Sequence, residues 1–333
     1  MNNDLSRQLY HLNYLDINRR LRPKWNRGYP SPDEDQDYFP KENCQPVCIP
    51  PKVQTTNKRF TIRSYLEKGG KGFLYVAIDH ERHDLAVVKA LHPGLRDDFF
   101  ARQSFTREEE LLRNLSGPHI VTYRDSCPLV DGTPAYAMEF VAGPDLFEAR
   151  KAFPQAAPSD ERWVYQTISR KTTRTNGHIR PPLRKYAANI PPLAFTASAV
   201  IQTALGIDEI HNQGVIHQDI KPENIFLHYG KRADQGDFIV KIGDFGVAGV
   251  PHRTGTIHGT PTYLAPEVIR GGAATPQSDL YSLGVIMYYL LTGVNPFHAE
   301  TLNQVLWKQQ YGIVPLPNAV SLQDIPPELE DVC

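Results

Sequence analysis

Eight consecutive residues, His217-Gln218-Asp219-Ile220-Lys221-Pro222-Glu223-Asn224, constrain this chain more than any other stretch. An Asp, a Lys two positions on and an Asn five positions on share one short loop. They offer a carboxylate to orient or deprotonate a hydroxyl, a cation for a transferring phosphate and an amide oxygen for Mg2+. Asp244-Phe245-Gly246 follows twenty residues after Asn224, just beyond the strand-like run Phe238–Ile242. An Asp at a strand end before Gly suits metal ligation at a flexible junction. Gly259-Thr260-Pro261-Thr262-Tyr263-Leu264-Ala265-Pro266-Glu267 closes the segment.

Upstream, short β-favouring runs at 60–62, 73–78, 85–90 and 136–141 are separated by glycine-rich or charged turns. A helix is expected over 99–115, with Phe105, Leu112 and Leu115 apolar and a Glu cluster on another face. Helices are also expected over 197–211 and, strongly apolar, over 279–292. Strands with one helix, followed mainly by helices, read as a two-lobed α+β architecture.

Composition narrows the function classes. Lys+Arg 36 against Asp+Glu 37 gives a net charge of -1, which disfavours nucleic acid as a partner held by bulk charge. Four cysteines in 333 residues exclude a disulfide scaffold and fit a reducing compartment. Met1 to Arg20 has no uninterrupted apolar core of a secretory signal. The run 283–291 is too short for a membrane span, so no span is expected and the expected location is cytoplasmic. Residues 1–57 read as an N-terminal extension with a short amphipathic helix at Leu5, Leu9 and Leu12 and a linker from Ser31 to Thr56. Cys44 and Cys48 there lack a second Cys/His pair at finger spacing and read as free thiols. The stretch 163–190 carries six Lys and Arg with no Asp or Glu. It reads as an inserted loop, either a solvated basic surface or a docking surface for an acidic partner.

Gly69, Gly70 and Gly72 form a glycine-rich hairpin through which backbone amides can approach phosphate oxygens. Lys89 ends the apolar run Ala86-Val87-Val88. A lysine at the end of a buried strand needs an anionic partner, and Glu108 on the next helix can supply it.

Taken in order, the glycine loop, Ala-Val-Val-Lys, the helix Glu, His-x-Asp-Ile-Lys-Pro-Glu-Asn, Asp-Phe-Gly and Ala-Pro-Glu resemble the protein kinase family. The Asp-Ile-Lys-Pro-Glu-Asn and Gly-Thr-Pro-Thr-Tyr segments are similar to serine/threonine kinases, with a bacterial flavour around 278–284. The resemblance runs from Phe60 onward, apart from the insertion. It implies a small β-rich N-lobe over 58–140 and a larger α-helical C-lobe over 141–333, with the basic insertion near 150–195. It also implies ATP and Mg2+ as cofactors and a protein substrate. On this resemblance Lys89 holds the ATP phosphates and pairs with Glu108, Asp219 is the base, Lys221 steadies the γ-phosphate, and Asn224 and Asp244 ligate Mg2+. Gly69 and Gly72 cover the phosphates. Met138 is the gatekeeper, Glu139 and Val141 meet the adenine edge, Leu74, Ala86 and Phe226 sandwich its ring, and Asp145 takes the ribose. Asp279 braces the catalytic loop, Thr260 helps to position it, and Glu267 belongs to the substrate-side segment.

Three departures accompany the resemblance. Glu67 stands where the glycine loop should begin with Gly, which implies weaker ATP binding. Gln218 replaces the Arg that pairs with an activation-segment phosphate; Thr254 and Thr256 are either autophosphorylation sites or solvated loop threonines. From Ile325 the chain resembles the start of a helix that the family continues, so the C-lobe reads as incomplete and Glu267 as short of its usual Arg. The second reading is a weak or inactive nucleotide-binding pseudokinase scaffold. A module acting on small molecules is disfavoured by the Gly259 to Glu267 pattern.

Overall fold

The computed structural model describes residues 53–68, 72–151, 193–229, 238–249, 259–321 and 324–330. Gly69 and Gly70, residues 1–52 with Cys44 and Cys48, the basic stretch 163–190, and Thr254 and Thr256 lie outside the described residues. Two compact units emerge: residues up to Gly143 with His228–Ile239, and Pro144–Leu227 with Val240–Cys333.

The first unit is built on strands β1 (Phe60–Lys68), β2 (Gly72–Asp79), β3 (Asp84–Leu91), β4 (Tyr123–Ser126) and β5 (Ala135–Glu139), in the order β1-β2-β3-β5-β4. Each adjacent pair is antiparallel. Because side chains alternate across a strand, Ala86, Val88 and Ala90 of β3 join Phe60, Tyr75, Ala77, Ala135 and Ala137 in one apolar cluster. The intervening Lys89 belongs to the opposite face, where it lies across from Leu74 on β2 and Tyr136 on β5. Helix α1 (Phe99–Asn114) starts at Asp98, whose side chain accepts the Ala101 N–H at 2.7 Å. It buries Phe105, Glu108 and Leu112. Glu108 therefore sits on the apolar face, not on another face with its neighbouring glutamates: spacings of three and four residues align it with Phe105 and Leu112.

Two features escape the sequence pattern. The four-residue β4, Tyr-Arg-Asp-Ser, has low strand propensity and is held by pairing with β5. Residues 53–56, expected as linker, instead bond to the sheet unit: Thr56 N–H donates to Pro128 at 2.8 Å and Val130 N–H to Gln54 at 2.9 Å. At the same unit's edge Asp79 is fully buried and gripped by Arg59 (3.0 Å at each oxygen) and Arg124 (3.0 Å). Burial alone would raise its carboxyl; the two guanidinium groups and the Glu81 and Arg82 amides outweigh it and hold the carboxyl at about 2.

The second unit contains α2 (Leu146–Lys151), α3 (Leu193–His211), residues 225–227 of β6 (Ile225–Tyr229), residues 240–242 of its partner strand β7 (Phe238–Ile242), α4 (Pro266–Ile269), α5 (Pro276–Thr292), α6 (Leu302–Tyr311), α7 (Pro317–Val320) and α8 (Pro327–Glu330). Helix α5 begins where Thr275 N–H meets Ser278 Oγ at 3.0 Å and ends on left-handed Gly293 (φ 80°). It is buried almost all round, from Ser278 and Asp279 to Thr292, and forms the axis of the unit's core. Helix α3 packs against it. By length and composition α3 could cross a membrane, although polar residues interrupt its apolar sequence. Its Phe195, Ala199, Thr203, Ile207 and Ile210 are buried within the unit, while Ile201 and Leu205 are exposed.

Candidate active site

In the first unit, Lys89 Nζ forms an ion pair with Glu108 Oε1. Tyr136 OH, from the neighbouring strand, donates to the same oxygen at 2.7 Å. The pair is nearly dry, with Glu108 2% and Lys89 13% exposed. The charges therefore depend on each other more than a surface pair would. Gly72 opens β2 so close to β3 that a Cβ there would meet the Ala90 carbonyl oxygen at 2.2 Å; the sheet itself demands glycine. Met138 pairs with Val87 and Glu139 with Ala86. Glu139 N–H donates to Thr122 at 2.8 Å, and the Val141 carbonyl accepts from Gly143 N–H at 2.9 Å.

In the second unit the eight-residue loop is suspended from α5. Asp279, 1% exposed, accepts the backbone N–H of His217 at Oδ2 and of Gln218 at Oδ1, both at 2.9 Å. The His211 ring nitrogen Nε2 lies 2.8 Å from Oδ2. Gln218 is thereby held at φ 67°, a left-handed conformation unusual for a residue with a side chain. His217 is buried; its Nδ1 accepts the Asp219 N–H at 3.3 Å, which leaves Nε2–H to donate to the Gly243 carbonyl at 3.1 Å. Gly243 N–H in turn donates to the Asn224 carbonyl at 3.0 Å. Asp244, also left-handed at φ 60°, thus leaves its strand beside the loop.

The Asp219 carboxylate is surrounded by donors. Oδ1 accepts Thr260 N–H at 2.9 Å and Thr260 Oγ1–H at 2.8 Å. Oδ2 accepts Lys221 Nζ at 2.7 Å and Asn224 Nδ2 at 3.2 Å. Lys221 also reaches Thr260 Oγ1 at 3.1 Å, and Asn224 Nδ2 the Asp219 carbonyl at 2.9 Å. Gly259 makes this closeness sterically allowed: it sits at φ 95°, and a Cβ there would lie 2.6 Å from the Gln218 carbonyl oxygen.

Asp145 has a role that its position in the motif did not signal. Its Oδ1 caps α2 by accepting Glu148 N–H at 2.7 Å, and its backbone bridges Phe226 on β6. Burial pushes its carboxyl up to about 6; the Glu148 amide opposes this, while the negative charges of Glu148 and Glu223 reinforce it. Glu267 lies in the first turn of α4; its carbonyl accepts Gly272 N–H at 2.8 Å, and no ion pair to its side chain occurs among the described residues. Sequence reasoning missed Ser282, which donates to the Tyr263 carbonyl at 2.7 Å, and Gln309, which donates to the Pro261 carbonyl at 3.3 Å. Gln309 belongs to no short motif, and nothing in the 278–284 run marks Ser282 for this bond.

Comparison with known proteins agrees with this arrangement. The "Serine/threonine-protein kinase pkn3" of Myxococcus xanthus is 29% identical over 257 residues, covering 74% of this chain and 40% of that protein. The "Probable serine/threonine-protein kinase pknA2" of Bifidobacterium longum is 30% identical over 273 residues, covering 79% and 30%. The "Serine/threonine-protein kinase PknL" of Mycobacterium tuberculosis is 38% identical over 149 residues, covering 43% and 35%. The chain thus spans well under half the length of these relatives. The family described as "Protein kinase domain" matches residues 60–329, with the β-rich unit and the helical unit both included, and the chain belongs to that family.

Proposed function

We propose that this chain is a serine/threonine protein kinase that transfers the γ-phosphoryl group of ATP to hydroxyls of protein substrates. The observation that carries the reading is Asp219, a carboxylate oriented by Thr260, Lys221 and Asn224 on a loop hung from buried Asp279. In this reading Asp219 accepts the proton of the attacking hydroxyl, Lys221 steadies the transferring phosphoryl group, and Lys89, held by Glu108, binds the ATP phosphates.

The donor set fits Mg2+. Asn224 commits its Nδ2 to Asp219, which turns its oxygen away from that carboxylate, and Asp244 adds a second hard oxygen ligand. Among the described residues no group of three His, Cys, Asp or Glu could hold a metal ion; Mg2+ bound with a nucleotide needs only one or two protein oxygens beside the phosphates. When bound, the ion supplies neutralisation of charge between the β- and γ-phosphates. Met138, Glu139, Val141, Leu74, Ala86, Phe226 and Asp145 are assigned to the nucleoside, and Gly69 and Gly72 to the phosphates. The proposed setting is the cytoplasm, consistent with the low cysteine content.

The test is transfer from γ-labelled ATP with Mg2+ to the chain itself and to a generic basic protein, with Asp219→Asn as control. Transfer that falls by at least on the order of a hundredfold in the variant supports the reading. A folded wild-type chain that binds ATP and transfers nothing overturns it in favour of a scaffold.

A further inference from the structure

We propose that Gln309, far from every motif, is a positioning residue that sets the place of the turn following Thr260, and through it the setting of Asp219. The proposal rests on the reading of Asp219 as the base.

Helix α6 buries Val305 and Gln309 against the rest of its unit, and Gln309 is only 4% exposed. A buried amide is costly unless both of its ends are bonded. Here both are: Oε1 accepts the hydroxyl of Tyr281, from α5, and Nε2 donates to the Pro261 carbonyl at 3.3 Å. The Pro261 carbonyl, which can only accept, decides which way the amide faces, since a tyrosine hydroxyl can donate or accept. With the NH2 group turned to that carbonyl, the oxygen is left for Tyr281. Tyr281 is itself fixed by stacking on Phe297, with ring centres 6.3 Å apart.

Proline has no N–H, so its carbonyl is the one backbone group by which Pro261 can be gripped. The turn Pro261–Tyr263 has few bonds of its own: Tyr263 N–H to Thr260 at 3.0 Å and a long Leu264 N–H to Pro261 at 3.4 Å. External anchors therefore set its position. Asp219 holds Thr260, Gln309 holds Pro261 and Ser282 holds the Tyr263 carbonyl. Gln309 is the middle anchor, adjacent to the residue that gives both of its donors to the base. A hydroxyl that reaches Asp219 must approach beside Thr260, so loss of this anchor falls on the protein substrate and not on ATP.

The experiment compares wild type, Gln309→Met, Tyr281→Phe and the double variant. In steady-state transfer, Gln309→Met raises the KM for the protein substrate about five- to tenfold and leaves the KM for ATP within about twofold. Tyr281→Phe acts in the same direction with a smaller effect, and the double variant is no worse than Gln309→Met alone, as expected when both act through one amide. A fall in kcat that matches the loss of folded protein, with neither KM moved, is the signature of a merely structural role and overturns the inference. Amide hydrogen exchange at Tyr263 and Leu264 is read in parallel, without reference to activity. Gln309→Met speeds it about tenfold while α5 stays protected; unchanged exchange also overturns the inference. Faster exchange in a chain whose wild type transfers no phosphate upholds the anchor and sinks only the kinase reading.

Discussion

Thr260 gives both its backbone N–H and its hydroxyl to a single oxygen of Asp219, at 2.9 and 2.8 Å. Two segments forty-one residues apart in sequence therefore fix the plane of one carboxylate. The other oxygen is shared by Lys221 and Asn224 of the loop itself.

The hydroxyl can be tested apart from the amide. Thr260→Val keeps the shape and the N–H but removes one hydrogen bond to a charged group, which is worth about 1.5–3 kcal/mol. Phosphate transfer is expected to fall about ten- to a hundredfold, and Thr260→Ser to stay within about threefold of wild type. Equal rates for Val and wild type would show that the hydroxyl contributes nothing.

Asp279 supports the loop with two backbone bonds and a histidine contact from a nearly inaccessible position. Asp279→Asn turns one acceptor into a donor that confronts an N–H. Urea unfolding is expected to show a loss of about 2–4 kcal/mol. Transfer should fall further than the remaining folded fraction accounts for. A variant that loses stability alone would separate the loop geometry from the chemistry.

Lys89 and Glu108 form a low-exposure pair whose halves are each costly when alone. Lys89→Met is expected to destabilise the first unit by about 3 kcal/mol, because Glu108 stays buried and charged with its lysine gone while the Tyr136 hydroxyl still donates to it. Lys89→Met/Glu108→Leu should recover most of that loss while remaining inactive. A double variant as unstable as the single one would argue against the pair as the source of the cost.

Asp145 carries a pH signature. Its carboxyl is raised to about 6 in the folded chain, above the ordinary 3.8, so between these values the folded state binds more protons than the unfolded state. This contribution to stability is fully present below about 4 and is lost as pH rises through about 6. Asp145→Asn keeps a capping oxygen without the charge. It is expected to be more stable than wild type at pH 7.5, by up to about 3 kcal/mol, and level with it near pH 4. Unfolding free energies across pH 4–8 for both proteins check this. A difference that does not change with pH would remove burial of the charge as its cause.

Several elements were legible without the structure because they are written locally. The apolar 85–90 run gave β3, and the strongly apolar stretch 279–292 gave the buried α5, which starts three residues earlier at Pro276. The strand Tyr123–Ser126 was not legible, since a four-residue polar segment becomes a strand only through its partner β5. Glu108 was legible as a counter-charge for Lys89, yet its place on the apolar face of α1 needed the helix phase.

What the sequence by itself determined is the kinase family and the local chemistry of the eight-residue loop. Order and spacing suffice there, because Asp219, Lys221 and Asn224 lie within five positions and cannot separate far. Only the tertiary structure decided which distant groups complete that loop and what state they are in. Asp279, Thr260, Ser282 and Gln309 meet the loop or its neighbouring turn from other helices and turns. The rise of the Asp145 carboxyl and the fall of the Asp79 carboxyl depend on burial and on neighbours brought in by the fold. Hydrogen bonds and solvation act through space, at distances that chain order does not encode.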